Sequence, residues 1–251
     1  MATLPVLERV VRRLETRGTL DSEDRAAIHA LPLVLRTLDP SAYMVREGDS
    51  VDSCIILLTG FAYRHKVTGE GQRQIMSVHM PGEFLDLQNS LLGLADHNVQ
   101  ALTRCEVAMV PVAALRQLGE ARPQVGRAMW IDTLIDAAIF REWIVNVGRR
   151  DSMSRLAHLL CEFALRLEAA GLARDRRYEL PMTQEQLADC TGLTPVHVNR
   201  VLKEMGRLEL IQRDKRSVNI IDWDRLRQIG DFNTRYLHME AGGPTNLQSA
   251  R

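Results

Sequence analysis

Four side chains on one short stretch, Val196, His197, Asn199 and Arg200, have the types and spacing to meet the edges of base pairs in a DNA groove. A guanidinium grips guanine O6 and N7 with two hydrogen bonds, an amide or imidazole supplies a further polar contact, and valine can touch a thymine methyl. Around them Thr183, Gln184, Thr194, Lys203, Arg213, Lys215 and Arg216 carry the hydroxyls, amides and cations that suit phosphate oxygens. There, charge and reach matter more than base identity. The same residue types also suit an ordinary solvated helix and hairpin tip, so the elements that carry them decide between the readings.

Met182–Gln212 reads as two short helices joined by a glycine turn and followed by a strand, a helix-turn-helix of the kind that lays its second helix in the major groove. Thr183 caps the first helix, and Gln186 three residues on completes a capping box. Gly192 ends that helix. Thr194 caps the second, over 194–205, with Pro195 at its first position, where a missing N–H costs nothing. Val198, Val201, Leu202 and Met205 recur at helical spacing and face the core, which turns His197, Asn199, Arg200, Lys203 and Glu204 outward. Leu208–Gln212, a charged turn and Val218–Ile221 then predict a β-hairpin wing.

At 251 residues the chain has room for two compact domains. No apolar run approaches the roughly 20 residues that span a bilayer, and the charged N-terminus is no signal sequence, so a cytoplasmic protein without a membrane partner is expected. Formal net charge is zero. That excludes a binder relying on bulk positive charge, leaving a local basic surface and specific contacts. Cys54, Cys105, Cys161 and Cys190 lie far apart without a Cys-x-x-Cys pair, which argues against a metal site and for buried, reduced thiols.

Residues up to about Ala30 predict one or two helices, the second capped by Asp21. Between Val34 and Val112, turn signals such as Glu47-Gly48-Asp49, Thr59-Gly60 and Pro81-Gly82-Glu83 separate short apolar runs at Ser53–Leu58, Phe61–Val67, Gln74–His79, Val99–Thr103 and Glu106–Val110. Many short strands at regular spacing imply a sandwich or barrel. Val125–Val147 predicts one long helix with Trp130, Ile131, Leu134, Ile135, Ala138, Ile144 and Val145 as an apolar stripe. The stripe can pack on its own β-domain or against its twin in a parallel dimer contact. Gly148-Arg149-Arg150 is a candidate hinge, Asp151 the cap of a helix over Ser152–Ala169, and Trp223–Tyr236 a last helix capped by Asp222. The tail over 241–251 lacks core-forming residues and is expected to be disordered.

With these parts in order, the chain resembles the Crp/Fnr family of bacterial transcription regulators over nearly its whole length. The resemblance rests on the punctuation Gly48-Asp49, Gly60 and Pro81-Gly82-Glu83-Phe84, the long helix, the Asp151 hinge, and TQEQLADCTGLTPVHVNRVLKEM. It implies an α+β fold with an N-terminal β-roll of jelly-roll type, a long dimerisation helix and a C-terminal winged helix-turn-helix. The expected domains are the N-terminal helices and sensor roll over 1–122, the dimerisation helix and hinge over 123–150, and the DNA-binding domain over 151–240. It further implies a homodimer joined through Trp130, Ile131, Leu134, Ala138, Ile144 and Val145, with Gly148 and Asp151 at the hinge. Such dimers read double-stranded, pseudo-palindromic operators and, as activators, contact RNA polymerase. Arg200 matches the family's base-contacting arginine, whereas Val196 stands where many members carry a glutamate.

The expected effector pocket comprises Gly82, Glu83, Phe84, Asp86, Leu87, Gln88, Asn89, His97 and Asn98. In cyclic-nucleotide-binding members a glutamate there holds the ribose and an Arg-Ser pair the cyclic phosphate. Here Leu87 stands near the glutamate position, and Ala95, Asp96, His97 and Asn98 lie where Arg-Ser would. The Asp96 charge repels a phosphate, so cyclic AMP in the usual mode is not expected. The cysteine cluster of the iron–sulfur sensors is missing, and a lone His65, His79 or His97 is poor support for haem. No cofactor is therefore expected and the effector is unidentified. The alternative is an effector-sensing or protein-interaction module whose winged domain leaves DNA alone. An enzyme finds no support in phosphate loops, metal spacing or nucleophile motifs.

Overall fold

The computed structural model describes residues 6–239 of the chain. The expected disordered tail over 241–251 lies outside the described residues. Two helices, α1 (Glu8–Glu15) and α2 (Ser22–His29), precede the strands β1 (Val34–Leu38), β2 (Tyr43–Val45), β3 (Ser53–Thr59), β4 (Ala62–Val67) and β5 (Arg73–His79). A single turn, α3 (Asn89–Leu92), leads to β6 (Asn98–Ala101) and β7 (Cys105–Pro111). Helices α4 (Val112–Ala121), α5 (Pro123–Arg149) and α6 (Ser152–Ala169) follow. The chain continues through β8 (Arg177–Glu179), α7 (Gln184–Thr191), α8 (Pro195–Arg207), β9 (Ile211–Asp214), β10 (Ser217–Ile220) and α9 (Trp223–Ile229). This is the mixed α+β architecture expected: antiparallel strands first, a long helix, then the helix-turn-helix and its wing.

The chain forms two compact units. Among the described residues, the first is built from 6–62, Pro81–Ala138 and 237–239. In it β7 lies between β1 and β3, antiparallel to both, with Val34 opposite Met109 and Ser53 opposite Pro111. Strand β3 is buried on both faces and serves two cores by simple alternation. Cys54 and Ile56 join Leu7, Val11, Leu14 and Leu115 on one side, while Ile55 and Leu57 join Val99, Ala101 and Val107 on the other. Asp21 caps α2 in a capping box with Asp24. Strands β1 and β2 and the turn α3 were not separated from loop by the sequence pattern, since β1 is exposed along most of its length and β2 is only three residues long.

The second unit is built from Tyr63–Met80 and Ile139–Tyr236. Helix α6 packs on α8 and α9, α7 packs on α8, and β8, β10 and β9 form the wing sheet. Strand β5 belongs to this unit and lies on α7: Arg73 pairs with Asp189 at 2.7 Å, and Gln74 donates to the Asp189 carbonyl at 2.7 Å.

Three expected boundaries move. Gly148 is not a hinge residue by conformation, because α5 runs through it to Arg149 and the break falls at Arg150, with the Asp151 carboxylate accepting from Ser154 N–H at 2.9 Å to start α6. Helix α8 continues past Met205 through Gly206 to Arg207, and a turn with Glu209 at φ 56° delays the wing strand to Ile211. The last helix stops at Ile229, well short of Tyr236. There Gly230 lies against α6 so closely that a Cβ would meet His158 N at 2.7 Å and Ala157 C at 3.0 Å. Gly230→Ala must therefore push backbone against backbone, and a loss of about 1–3 kcal/mol in urea unfolding is expected. A neutral substitution would show that this crossing is loose.

Candidate DNA-binding surface

Local sequence dictates the helix-turn-helix. Thr183 Oγ1 accepts from Gln186 N–H at 3.2 Å, and Gln186 Oε1 accepts from Thr183 N–H at 2.9 Å, which satisfies two of the orphan donors at the start of α7. Gly192 takes φ 63°, the left-handed turn that lets the chain reverse without a Cβ penalty. Thr194 Oγ1 then accepts from His197 N–H at 3.3 Å, with Pro195 at the first position of α8. Val198, Val201, Leu202 and Met205 are buried, as their spacing requires.

That burial leaves one face of α8 outward. Val196 is 82% exposed, Arg200 and Lys203 are exposed, and His197 and Asn199 are half-buried. Thr183, Gln184 and Thr194 are exposed at the two helix starts. In the wing turn, Lys215 adopts φ 50° and projects with Arg216 into solvent. Arg213 differs from its neighbours: it is half-buried, donates weakly to the Lys215 carbonyl at 3.5 Å, and burial pulls its pKa down.

Two residues of this surface were not evident from sequence. His197 Nε2 lies 2.9 Å from Ser152 Oγ and 3.1 Å from an Arg200 nitrogen. Arg155 donates to the Arg150 carbonyl at 2.8 Å and to the Thr191 carbonyl at 2.9 Å. Ser152 and Arg155 sit in the first turn of α6, where a serine after a capping aspartate looks like simple helix initiation. Only the fold brings them to the helix-turn-helix.

The predicted effector residues are largely engaged by the fold. Gly82 N–H donates to the Leu57 carbonyl at 2.7 Å, Glu83 is buried in an ion pair with Arg13 at 3.1 Å, and Phe84 joins the core. Asp86 is fully buried and accepts from Ile55 N–H at 2.8 Å, and burial together with the neighbouring Asp86 charge raises the pKa of Cys54. Leu87 packs against the core, Gln88 precedes α3, and Asn98 accepts from Glu47 N–H at 3.1 Å. His97 is buried beside Asp96 at 2.5 Å. Asn89 is fully buried, and neither its amide oxygen nor its nitrogen finds a partner among the described residues.

All four cysteines are buried free thiols, and burial pushes Cys161 up to about 12. Among the described residues no group of three or more His, Cys, Asp or Glu side chains is placed to hold a metal ion, and no helix is long and apolar enough to cross a membrane.

On α5 the expected stripe divides into two faces. Ile135, Ala138, Ile139 and Trp143 are buried within the chain, so Ala138 is a core residue rather than a contact on the outer face. Trp130, Leu134, Ile144 and Val145 are 56%, 50%, 68% and 44% exposed, and Ile131 lies between the faces.

Known proteins match both parts. Residues 35–122 match the cyclic nucleotide-binding domain family, and residues 154–229 match the Crp-like helix-turn-helix domain. The chain is 26% identical over 226 residues to the transcriptional activator protein FnrL of Cereibacter sphaeroides, covering 88% of this chain and 90% of that one. It is also 26% identical over 201 residues to the nitrogen fixation regulation protein FixK of Rhizobium meliloti, covering 79% and 88% of the two chains. In fold it is similar to FixK2 from Bradyrhizobium japonicum, with a TM-score of 0.71 at 22% identity over 79% of this chain and 98% of that one. A capped helix-turn-helix with a wing, a long helix and an antiparallel sheet domain, matched in this order along almost the whole chain, leave one assignment: the chain belongs to the Crp/Fnr family and is a DNA-binding transcription regulator.

Proposed function

We propose that the chain works as a homodimer that lays α8 of each protomer in the major groove of a pseudo-palindromic duplex, the two half-sites lying about one helical turn apart. The observation that carries this reading is the outward face of α8, where the exposed Val196 and Arg200 stand on a helix whose opposite face is locked in the unit's core. Arg200 is the guanine reader, Val196 and Asn199 lie beside it, and Thr183, Gln184, Thr194, Lys203, Lys215 and Arg216 take phosphates, with Arg213 behind the wing tip.

The dimer seam is the outer face of α5. Trp130, Leu134, Ala137, Arg141 and Ile144 follow one another at spacings of four, three, four and three residues, the repeat of a two-helix coil. Three large apolar side chains left half-exposed or more on one helix, Trp130, Leu134 and Ile144, with Val145 beside them, are what a second copy would cover. The protein acts in the cytoplasm by binding rather than catalysis, needs no metal or haem, and contacts RNA polymerase where it activates.

A signal enters through the first unit, for which the buried, unpartnered Asn89 amide is the supporting observation. It is not cyclic AMP in the usual mode, since Asp96 and Leu87 replace the groups that mode requires. Calorimetric titration with cyclic AMP is expected to give no heat at micromolar concentrations, and tight binding in the roll would contradict this.

Arg216→Ala tests the phosphate role. It is expected to weaken binding to every duplex alike and to lower the slope of log affinity against log salt by about one. A loss confined to one sequence would place Arg216 at a base instead.

A further inference from the structure

His197 serves two partners through one ring nitrogen. Arginine only donates, so the 3.1 Å contact with Arg200 requires a lone pair on Nε2 and puts the ring proton on Nδ1. The Ser152 hydroxyl, 2.9 Å from the same atom, can donate to that lone pair as well. A single in-plane lone pair serves two donors poorly, so Arg200 and Ser152 compete for it.

Ser152 is the first residue of α6, directly after Asp151. One turn on, Arg155 ties the Arg150 carbonyl at the helix break to the Thr191 carbonyl at the end of α7. The first turn of α6 thus holds both helices of the motif: α7 through Arg155 and α8 through Ser152 and His197.

We propose that His197 is a positioning residue and not a base reader: its Nε2 holds the Arg200 guanidinium in the free protein and passes to the Ser152 hydroxyl when Arg200 moves onto a guanine edge. The exchange strands no polar group. Arg200 gains two acceptors on the base, Ser152 gains undivided use of the nitrogen, and α8 stays fastened to the residue that follows the helix break. The proposal rests on the reading of α8 as the recognition helix.

A double-mutant cycle of Ser152→Ala and His197→Ala, measured as affinity for a selected operator duplex, tests it. Ser152→Ala is expected to weaken binding about threefold to tenfold in the native background and to have no further effect in His197→Ala. Selection of bound sequences should show His197→Ala keeping every base preference while losing affinity. His197→Gln, whose amide oxygen offers an acceptor in the same direction, should restore affinity to within about twofold of the native protein. Additive losses, a Ser152→Ala variant with native affinity, or relaxed preference at a single base pair in His197→Ala would each overturn the proposal. Ser152→Ala removes only a half-buried hydroxyl, so it decides the matter even if the histidine variants fold poorly. Arg200→Ala separates the two levels: unchanged operator binding there would overturn the reading of α8 itself, whatever the cycle gives.

Discussion

Arg200→Ala is expected to cost about 1–3 kcal/mol of operator affinity and to relax the preference at a single base pair in each half-site. The size follows from what is lost, a bidentate grip on guanine by a side chain that stands exposed on α8 with its guanidinium already beside His197. Binding to random duplex should change far less, because the phosphate contacts proposed for Lys203, Lys215 and Arg216 would be untouched. Fluorescence anisotropy with a selected operator and single-base variants reads both quantities. Equal losses on all sequences would mean that Arg200 meets a phosphate.

The largest effect on stability is expected at Glu162→Ala. This carboxylate is fully buried in α6 and accepts from Trp143 Nε1 at 3.0 Å, from the Tyr236 hydroxyl at 2.8 Å and from Arg166 at 3.0 Å. Arg166 in turn donates to the Val78 carbonyl at 2.8 Å. Removing the shared acceptor takes the charge partner from a buried guanidinium and the acceptor from the Trp143 indole N–H, and leaves the Tyr236 hydroxyl with His158 Nε2 at 3.0 Å, a loss of about 3–5 kcal/mol. Glu162→Gln keeps one oxygen acceptor and should lose less. Urea unfolding that shifts by less than about 1 kcal/mol in the alanine variant would show that water replaces the carboxylate. Glu162 joins the end of α5, through Trp143, to the segment after α9, through Tyr236, so its loss should also loosen the region around the helix break at Arg150.

The helix-turn-helix was legible because local chemistry fixes it. Thr183, Gln186, Gly192, Thr194 and Pro195 each satisfy a backbone requirement within four residues of themselves, so no distant contact can overrule them. The strands around β3 and β7 were legible for a similar reason, since apolar runs bounded by turns have few alternatives. What depended on partners far along the chain was not. Gly230 reads as one more residue in a helix until α6 is found against it, and Gly148 reads as a hinge until α5 is seen to continue through it. The α5 stripe looked single because apolarity does not say which neighbour covers a residue, and Ala138 and Trp130 turned out to face different ways. His197 was legible as a polar residue on the outer face of α8, yet its link to Ser152 joins residues 45 positions apart that no spacing rule connects.

The account stands on α8 reading DNA as one half of a symmetric pair. Selection of bound duplexes from a random pool by the purified full-length protein tests this most directly. The expected result is a motif with two-fold symmetry, its half-sites about one helical turn apart, each containing a G·C pair whose enrichment disappears when the selection is repeated with Arg200→Ala. Recovery of no motif, or of an unrepeated motif that survives Arg200→Ala unchanged, would contradict it.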